Sequence, residues 1–308
     1  MLSAYISHPS SLLHEMGPGH PECPARCSVI HDYLLSHSIL DLMVMHTAPI
    51  ATRPQVARVH DALYVAELEA SAPTSGYHFV DPDTAMNCHT LSAAWHAAGA
   101  AVLATEIVAR GEVASAFCNV RPPGHHATRH AAMGFCFFNN VAVGIAHALA
   151  ECGVSRVALV DFDVHHGNGS ENIFAGDDRV LMVSTFQRGL YPFSGEEALG
   201  PNSCNVPLEA RSGRDALRDA VTRHWLPALE DFRPEMIFVS AGFDAHRDDD
   251  MGRLGWVEAD YTWITRQIMD VAARHANGRI VSMLEGGYAL PALARSVAAH
   301  VRVLIGAD

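Results

Sequence analysis

The sequence predicts an α/β fold: a central, mostly parallel β-sheet with helices on both faces. Three observations predict it. Short β-branched apolar runs alternate with longer alanine-rich segments, the order expected of strands and crossover helices. The short runs are continuously apolar and do not alternate, as in strands covered on both faces. Five of them stop abruptly at Gly, His, Asp or Tyr.

The elements follow in order. Leu2–Ile6 is the first strand, and the Pro- and Gly-rich stretch around His8–Pro24 reads as an irregular loop. Leu91–Ala109 reads as a helix leading to the strand Ala114–Asn119, which stops at RPPGHHA. The helix Asn140–Glu151 precedes the strand Val157–Asp161, where VALVDFD breaks into VHHGNG. Val180–Thr185 ends at FQRGLYPFSG. The helix Asp215–Asp231 precedes the strand Met236–Ser240, and MIFVSAGFD gives way to AHRDDD. Tyr261–Ala273 is a helix, Ile280–Leu284 a strand ending at EGGY, and Ala292–Ile305 the last helix. There is no internal repeat, low-complexity segment or linker, so residues 1–308 read as a single domain.

Composition bounds the function. Hydrophobic residues at 49% and charged residues at 18% describe a globular chain, not a disordered one. A net charge of −13, from 21 basic and 34 acidic residues, disfavours nucleic acid as a ligand, because phosphate needs a basic face. It is compatible with cationic substrates. No apolar run reaches the roughly 20 residues that span a bilayer, and the opening MLSAYISHPSS lacks the basic start and apolar core of a signal peptide. Seven cysteines without a CxxC pair argue for a reducing compartment, hence the cytoplasm. Of 20 histidines, His96, His147, His224, His275 and His300 fall in helical stretches and read as surface or satisfied core residues.

In open α/β sheets ligands bind outside the carboxyl ends of the strands. Polar residues at five strand ends therefore converge on one pocket. Asp163 and His165 are two apart and point to one side in extended chain, and Asp244 arrives from another strand end. Two carboxylates and an imidazole make a three-ligand set that leaves a position open for water; zinc, iron(II), manganese and cobalt all suit it. His125 and His126, behind a rigid RPPG turn, are placed to act as general base and acid beside a metal-activated water; a second metal site is the alternative. Tyr288, after Gly286 and Gly287, can donate to a developing oxyanion.

The motifs RPPGHHA, GFCFFNN, DFDVHHGNG, SAGFDAH and LEGGY, in this order, resemble the zinc-dependent histone deacetylase family, which includes acetylpolyamine amidohydrolases and bacterial deacetylase-like amidohydrolases. The resemblance runs from GHPECPAR at position 19 to EGGY at 288. It resembles the class II branch, because Asn168 stands where class I enzymes usually carry aspartate. It implies the arginase/deacetylase fold, one catalytic zinc on Asp163, His165 and Asp244, and Tyr288 polarising an acetyl carbonyl. It implies a substrate tunnel lined by Gly134, Phe135 and Tyr191, with the Gly134 carbonyl receiving the amide N–H. It also implies that Asp161 backs His125 and shares a structural potassium site with Ser184, that a second monovalent site uses carbonyls near Phe174 and Val180, and that Arg26 borders an internal acetate channel. The partners of the two histidines divide the labour. Carboxylate Asp161 favours a charged His125, and neutral Asn168 leaves His126 close to an ordinary imidazole, ready to accept a proton.

Substrate choice is less determined. Polyamine deacetylases of this family carry a glutamate at the tunnel mouth. Met251 stands at that position and favours acetyl-lysine peptides or small acetylated amines, whereas Asp248, Asp249 and Asp250 could supply the acidic gate or form a solvated loop. The lack of basic tails fits a stand-alone amidohydrolase. An acetylpolyamine amidohydrolase and a non-catalytic acyl-lysine binding module are the other readings. A two-manganese ureohydrolase would need more carboxylates. The loop around His8–Pro24 leaves room for a homo-oligomer contact.

Overall fold

The computed structural model describes residues 2–307; Met1 and Asp308, the ends of the expected 1–308 domain, lie outside the described residues. The chain runs β1 (Ser3–Ser7), α1 (Ala25–Ser36), β2 (Met43–Thr47), α2 (Arg53–Val56), α3 (Ala62–Ala70), β3 (His78–Phe79) and β4 (Ala85–Met86). It continues through α4 (Thr90–Ala109), β5 (Ser115–Asn119), α5 (Asn140–Glu151), β6 (Val157–Asp161), α6 (Asn168–Phe174), β7 (Val180–Gln187) and β8 (Ser203–Leu208). The last part is α7 (Arg214–Ala220), α8 (Leu226–Phe232), β9 (Met236–Ala241), α9 (Glu258–His275), β10 (Ile280–Leu284) and α10 (Leu290–Leu304).

Eight strands form one sheet in the order β2-β1-β5-β10-β9-β6-β7-β8. Every pairing in it is parallel. All six strands read from the sequence are present. The two that were not, β2 and β8, are the edges. β8 is half-buried along most of its length and contains Pro207, which an edge tolerates and a central strand does not. An edge strand lacks the two-sided burial that makes a run legible.

Each face of the sheet carries a core. One is built on α4 and α5 and includes Ala97, Ala101, Phe138, Val141, Leu159 and Phe238. The other lies under α1, α9 and α10 and includes Ile30, Phe117, Phe162, Trp225, Tyr261 and Val301. By length and composition alone α4 could cross a membrane, but 72% of its apolar window is buried inside the protein, as in a core helix. The expected helix Asp215–Asp231 is α7 and α8 joined by a π-turn at Val221–Trp225. Pro227 explains the turn: it has no N–H to donate and its ring crowds the carbonyl four residues back.

The strand order positions the site. From β9 the chain crosses to β10 on one side, and from β6 it crosses to β7 on the other. The crevice between β9 and β6 is a topological switch point, where open α/β sheets bind ligands.

Candidate active site

Asp161 is the last residue of β6, and Asp163 and His165 follow it at once; Asp244 follows β9. These two strands are neighbours, with Asp161 in register with Ser240. Asp163, His165 and Asp244 are buried, and one ligand atom from each lies within 4.8 Å of the others. His165 Nδ1 is 2.9 Å from Asp163 Oδ1 and 3.3 Å from Asp244 Oδ2. The Val164 amide donates to Asp244 Oδ1 at 2.9 Å and the Gly286 amide to Asp163 Oδ2 at 2.8 Å. Gly286 must be glycine: a Cβ there would lie 2.0 Å from Asp244 Oδ2 and 2.6 Å from Asp163 Oδ2.

This set fits a divalent metal. Among the described residues, buried Asp244 Oδ2 accepts no hydrogen bond, a costly state for a carboxylate oxygen unless a cation shares it. Burial, and then the charge of Asp163, push the Asp244 carboxyl up to about 6. Two carboxylates in one dry site repel, and a dication between them removes the conflict.

The tandem histidines sit beside the set with opposite partners. His125 Nδ1 donates to Asp161 Oδ2 at 2.9 Å. Burial opposes its charge, but the carboxylates of Asp161 and Asp163 outweigh burial and raise it to about 10. His126 Nδ1 lies 2.8 Å from Asn168 Oδ1. The Asn168 amide nitrogen points to Met133 Sδ at 3.3 Å, so its oxygen faces His126. His126 therefore carries its proton on Nδ1 and keeps the Nε2 lone pair. Burial, then His125 and His165, hold His126 well below its ordinary value. That corrects the expectation of a nearly unperturbed imidazole: Asn168 is the expected neutral partner, but burial and neighbouring charge depress His126 further.

Tyr288 follows β10 and meets the Phe135 ring edge-on at 6.0 Å. Burial raises its phenol well above the ordinary value, so it stays protonated and able to donate. The Tyr191 ring stands edge-on to His126 at 5.2 Å. A Cβ on Gly134 would lie 2.5 Å from the His126 ring, and its φ is +55°, so glycine is required where the wall approaches the histidine. Met251 packs against the core that Phe135 belongs to, as Tyr288 does. The Gly134 carbonyl accepts the Cys136 thiol at 3.3 Å.

The acidic run beside Met251 is not a uniform solvated loop. Asp248 and Asp250 are exposed, but Asp249 is 4% exposed and accepts the amides of Tyr288, Ala289 and Met251. It is turned inward and is not available as a gate. Arg26 is buried, donates from Nε to the Gly287 carbonyl at 2.7 Å, pairs with Glu22 at 3.0 Å, and lies over the Tyr288 ring at 4.8 Å.

Several participants escaped sequence reading. Glu285 Oε2 accepts the Gly124 and His125 amides at 2.7 and 3.1 Å and so fixes the turn carrying both histidines. Burial raises its carboxyl to about 7. Glu22 grips Arg121 with both oxygens beneath the same turn. Only the Glu of EGGY offered a signal, and it was overshadowed by the glycines. The carbonyls of Phe174 and Val180, around which a second monovalent cation was expected, accept the Asn202 Nδ2 amide at 2.8 and 2.9 Å, and the Asp177 carbonyl accepts it at 3.2 Å. A side-chain amide satisfies those carbonyls here. Ser184 is in register with Asp161, and its hydroxyl donates to Asn205 at 3.1 Å.

Comparison with known proteins agrees with this geometry. The model of the histone deacetylase domain matches residues 20–304. A histone deacetylase-like amidohydrolase from Pseudomonas aeruginosa is 39% identical, over 88% of this chain and 73% of that protein. A type-2 histone deacetylase 2 from Dictyostelium discoideum is 33% identical over 97% of this chain; the match spans 20% of that longer protein. The crystal structure of the HDA15 HD domain superposes with a TM-score of 0.93 at 31% identity, covering 100% of this chain and 90% of that one.

Proposed function

The chain belongs to the histone deacetylase domain family, hydrolases of amide bonds, and from that premise we propose that it is a zinc-dependent deacetylase of acetyl-lysine side chains or similar small acetylated amines. It releases acetate and the free amine. The observation that supports this most is the buried Asp163–His165–Asp244 set facing two imidazoles of opposite proton affinity.

Asp163, His165 and Asp244 would hold the zinc. When bound, the ion supplies a Lewis acid for the acyl carbonyl and lowers the pKa of water. The protein's own groups do the rest. His126 Nε2 takes the proton of the attacking water and returns it to the leaving nitrogen. His125, kept charged by Asp161, contributes positive charge beside the reacting carbon. The Tyr288 hydroxyl donates to the carbonyl oxygen as it becomes anionic. Phe135 and Tyr191 exclude water along the acyl-lysine stem, and the Gly134 carbonyl turns from the Cys136 thiol to the substrate amide. A potassium ion at Asp161 and Ser184 belongs to this proposal as a structural element. So do a cytoplasmic location, a life apart from nucleic acid and membranes, and assembly as a homo-oligomer.

Met251 at the rim supports acetyl-lysine over acetylpolyamines, and the inward turn of Asp249 removes one candidate acidic gate. The test is kcat/KM of the zinc-loaded protein on an acetyl-lysine peptide and on N8-acetylspermidine. Preference for the peptide is expected. Preference for the polyamine moves the function to polyamine chemistry. Stoichiometric zinc with no turnover of either leaves a binding module.

A further inference from the structure

Asp249 lies in an exposed acidic run, yet it is buried and both of its oxygens are used. Oδ2 accepts the amides of Tyr288 at 2.6 Å and Ala289 at 2.9 Å; Oδ1 accepts the amide of Met251 at 3.0 Å. The helix α10 begins just beyond, and its cap residue, Ala289, has no side-chain acceptor. A helix start leaves amides without partners and favours a negative charge. Asp249 supplies both from another loop. The segment that it holds needs restraint: Gly286 and Gly287 precede Tyr288, Gly287 at φ +120°, and glycine leaves the backbone free to wander.

We propose that Asp249 is the positioning residue of the catalytic tyrosine. It fixes the Tyr288 backbone so that the hydroxyl is presented at one place, and through the Met251 amide it ties the rim turn to that presentation. The inference rests on the reading of Tyr288 as the donor to the carbonyl oxygen.

A double-mutant cycle on the zinc-loaded full chain tests it. Asp249→Asn is expected to lower kcat about ten- to a hundredfold with little change in KM, the scale of a small misplacement. In a Tyr288→Phe background the same change is expected to cost almost nothing more, since it acts through the hydroxyl already removed. Amide exchange at Tyr288 and Ala289 is expected to speed up in Asp249→Asn, a readout independent of metal and activity. Asp178→Asn, at an exposed carboxylate with no place in the site, is expected to keep the full rate. If Asp249→Asn does not fold, Asp249→Ser, which keeps one capping oxygen, carries the same cycle. Equal losses in the wild-type and Tyr288→Phe backgrounds, or unchanged exchange, would overturn the assignment. An unchanged rate for Tyr288→Phe alone would instead overturn the role of the tyrosine.

Discussion

Two polar clusters sit at opposite edges of the sheet, and both hold histidines and carboxylates. At the carboxyl edge are Asp161, Asp163, His125, His126, His165 and Asp244. At the amino edge, where α4 and α5 end, a hollow of about 500 Å³ is lined by Arg58, Glu106, Arg110, His147, Glu151 and Cys152. There every charge has an opposite neighbour. His147 Nε2 donates to Glu106 at 3.1 Å and its Nδ1 accepts from Arg58 at 3.2 Å, while Arg58 pairs with Glu151. The glutamates are 36% and 54% exposed. The carboxylates of the metal set are 0% exposed, and among the described residues Asp244 Oδ2 has only the His165 ring beside it and no hydrogen-bond partner. The difference teaches that an acidic excess in a dry place marks the site. A balanced ion-pair network at the surface adds little.

The largest effects should fall on the carboxyl edge. His126→Ala is expected to lower kcat by about 10²–10⁴-fold, the range of a lost general base, and to do more damage than His125→Ala when both retain zinc. A reversed order would mean that His125 moves the proton.

An intermediate effect concerns imidazoles locked neutral in the core. His60 donates to the Thr128 carbonyl and accepts the Asn139 amide at 2.9 Å each. His300 is held between Thr265 at 2.7 Å and Ser282 at 2.9 Å. Burial pulls His60 down to about 4 and His300 to about 3. Above the unfolded value near 6.5 both states are neutral and the full stability is present. As pH falls below that value, the unfolded chain takes up protons that the folded chain refuses. Stability therefore declines down to about pH 4 for His60 and about pH 3 for His300, by roughly 2 kcal/mol per histidine at pH 5. Urea midpoints between pH 7 and 5 read this slope, and His300→Gln should flatten it. An equally steep slope in that variant would place the acid sensitivity elsewhere.

The smallest effect belongs to the amino edge. His147→Ala should leave kcat/KM within about twofold and cost roughly 1 kcal/mol of stability for the lost hydrogen bonds. A loss of activity there would erase the distinction between the clusters.

The candidate site was legible in the sequence wherever a polar side chain follows the end of a buried strand. Asp163, His165 and Asp244 interrupt apolar runs, and the runs reveal where the strand ends meet. The roles of Glu285, Asp249 and Asn202 were not legible, because each acts on backbone groups that distant segments bring to it. Asp249 looked like one acid among three, and only its burial separates it from Asp248 and Asp250. The edge strands β2 and β8 were hidden for a related reason: half-burial leaves no continuous apolar run.

The central claim is that the buried carboxylate–imidazole set becomes hydrolytic when a cation joins it. The direct measurement is acetate release from an acetyl-lysine peptide during zinc titration of the metal-stripped protein, with His165→Ala alongside. The account predicts turnover that rises to a plateau at one zinc per chain and is absent in His165→Ala. Turnover without added metal, or a plateau that His165→Ala also reaches, would contradict it.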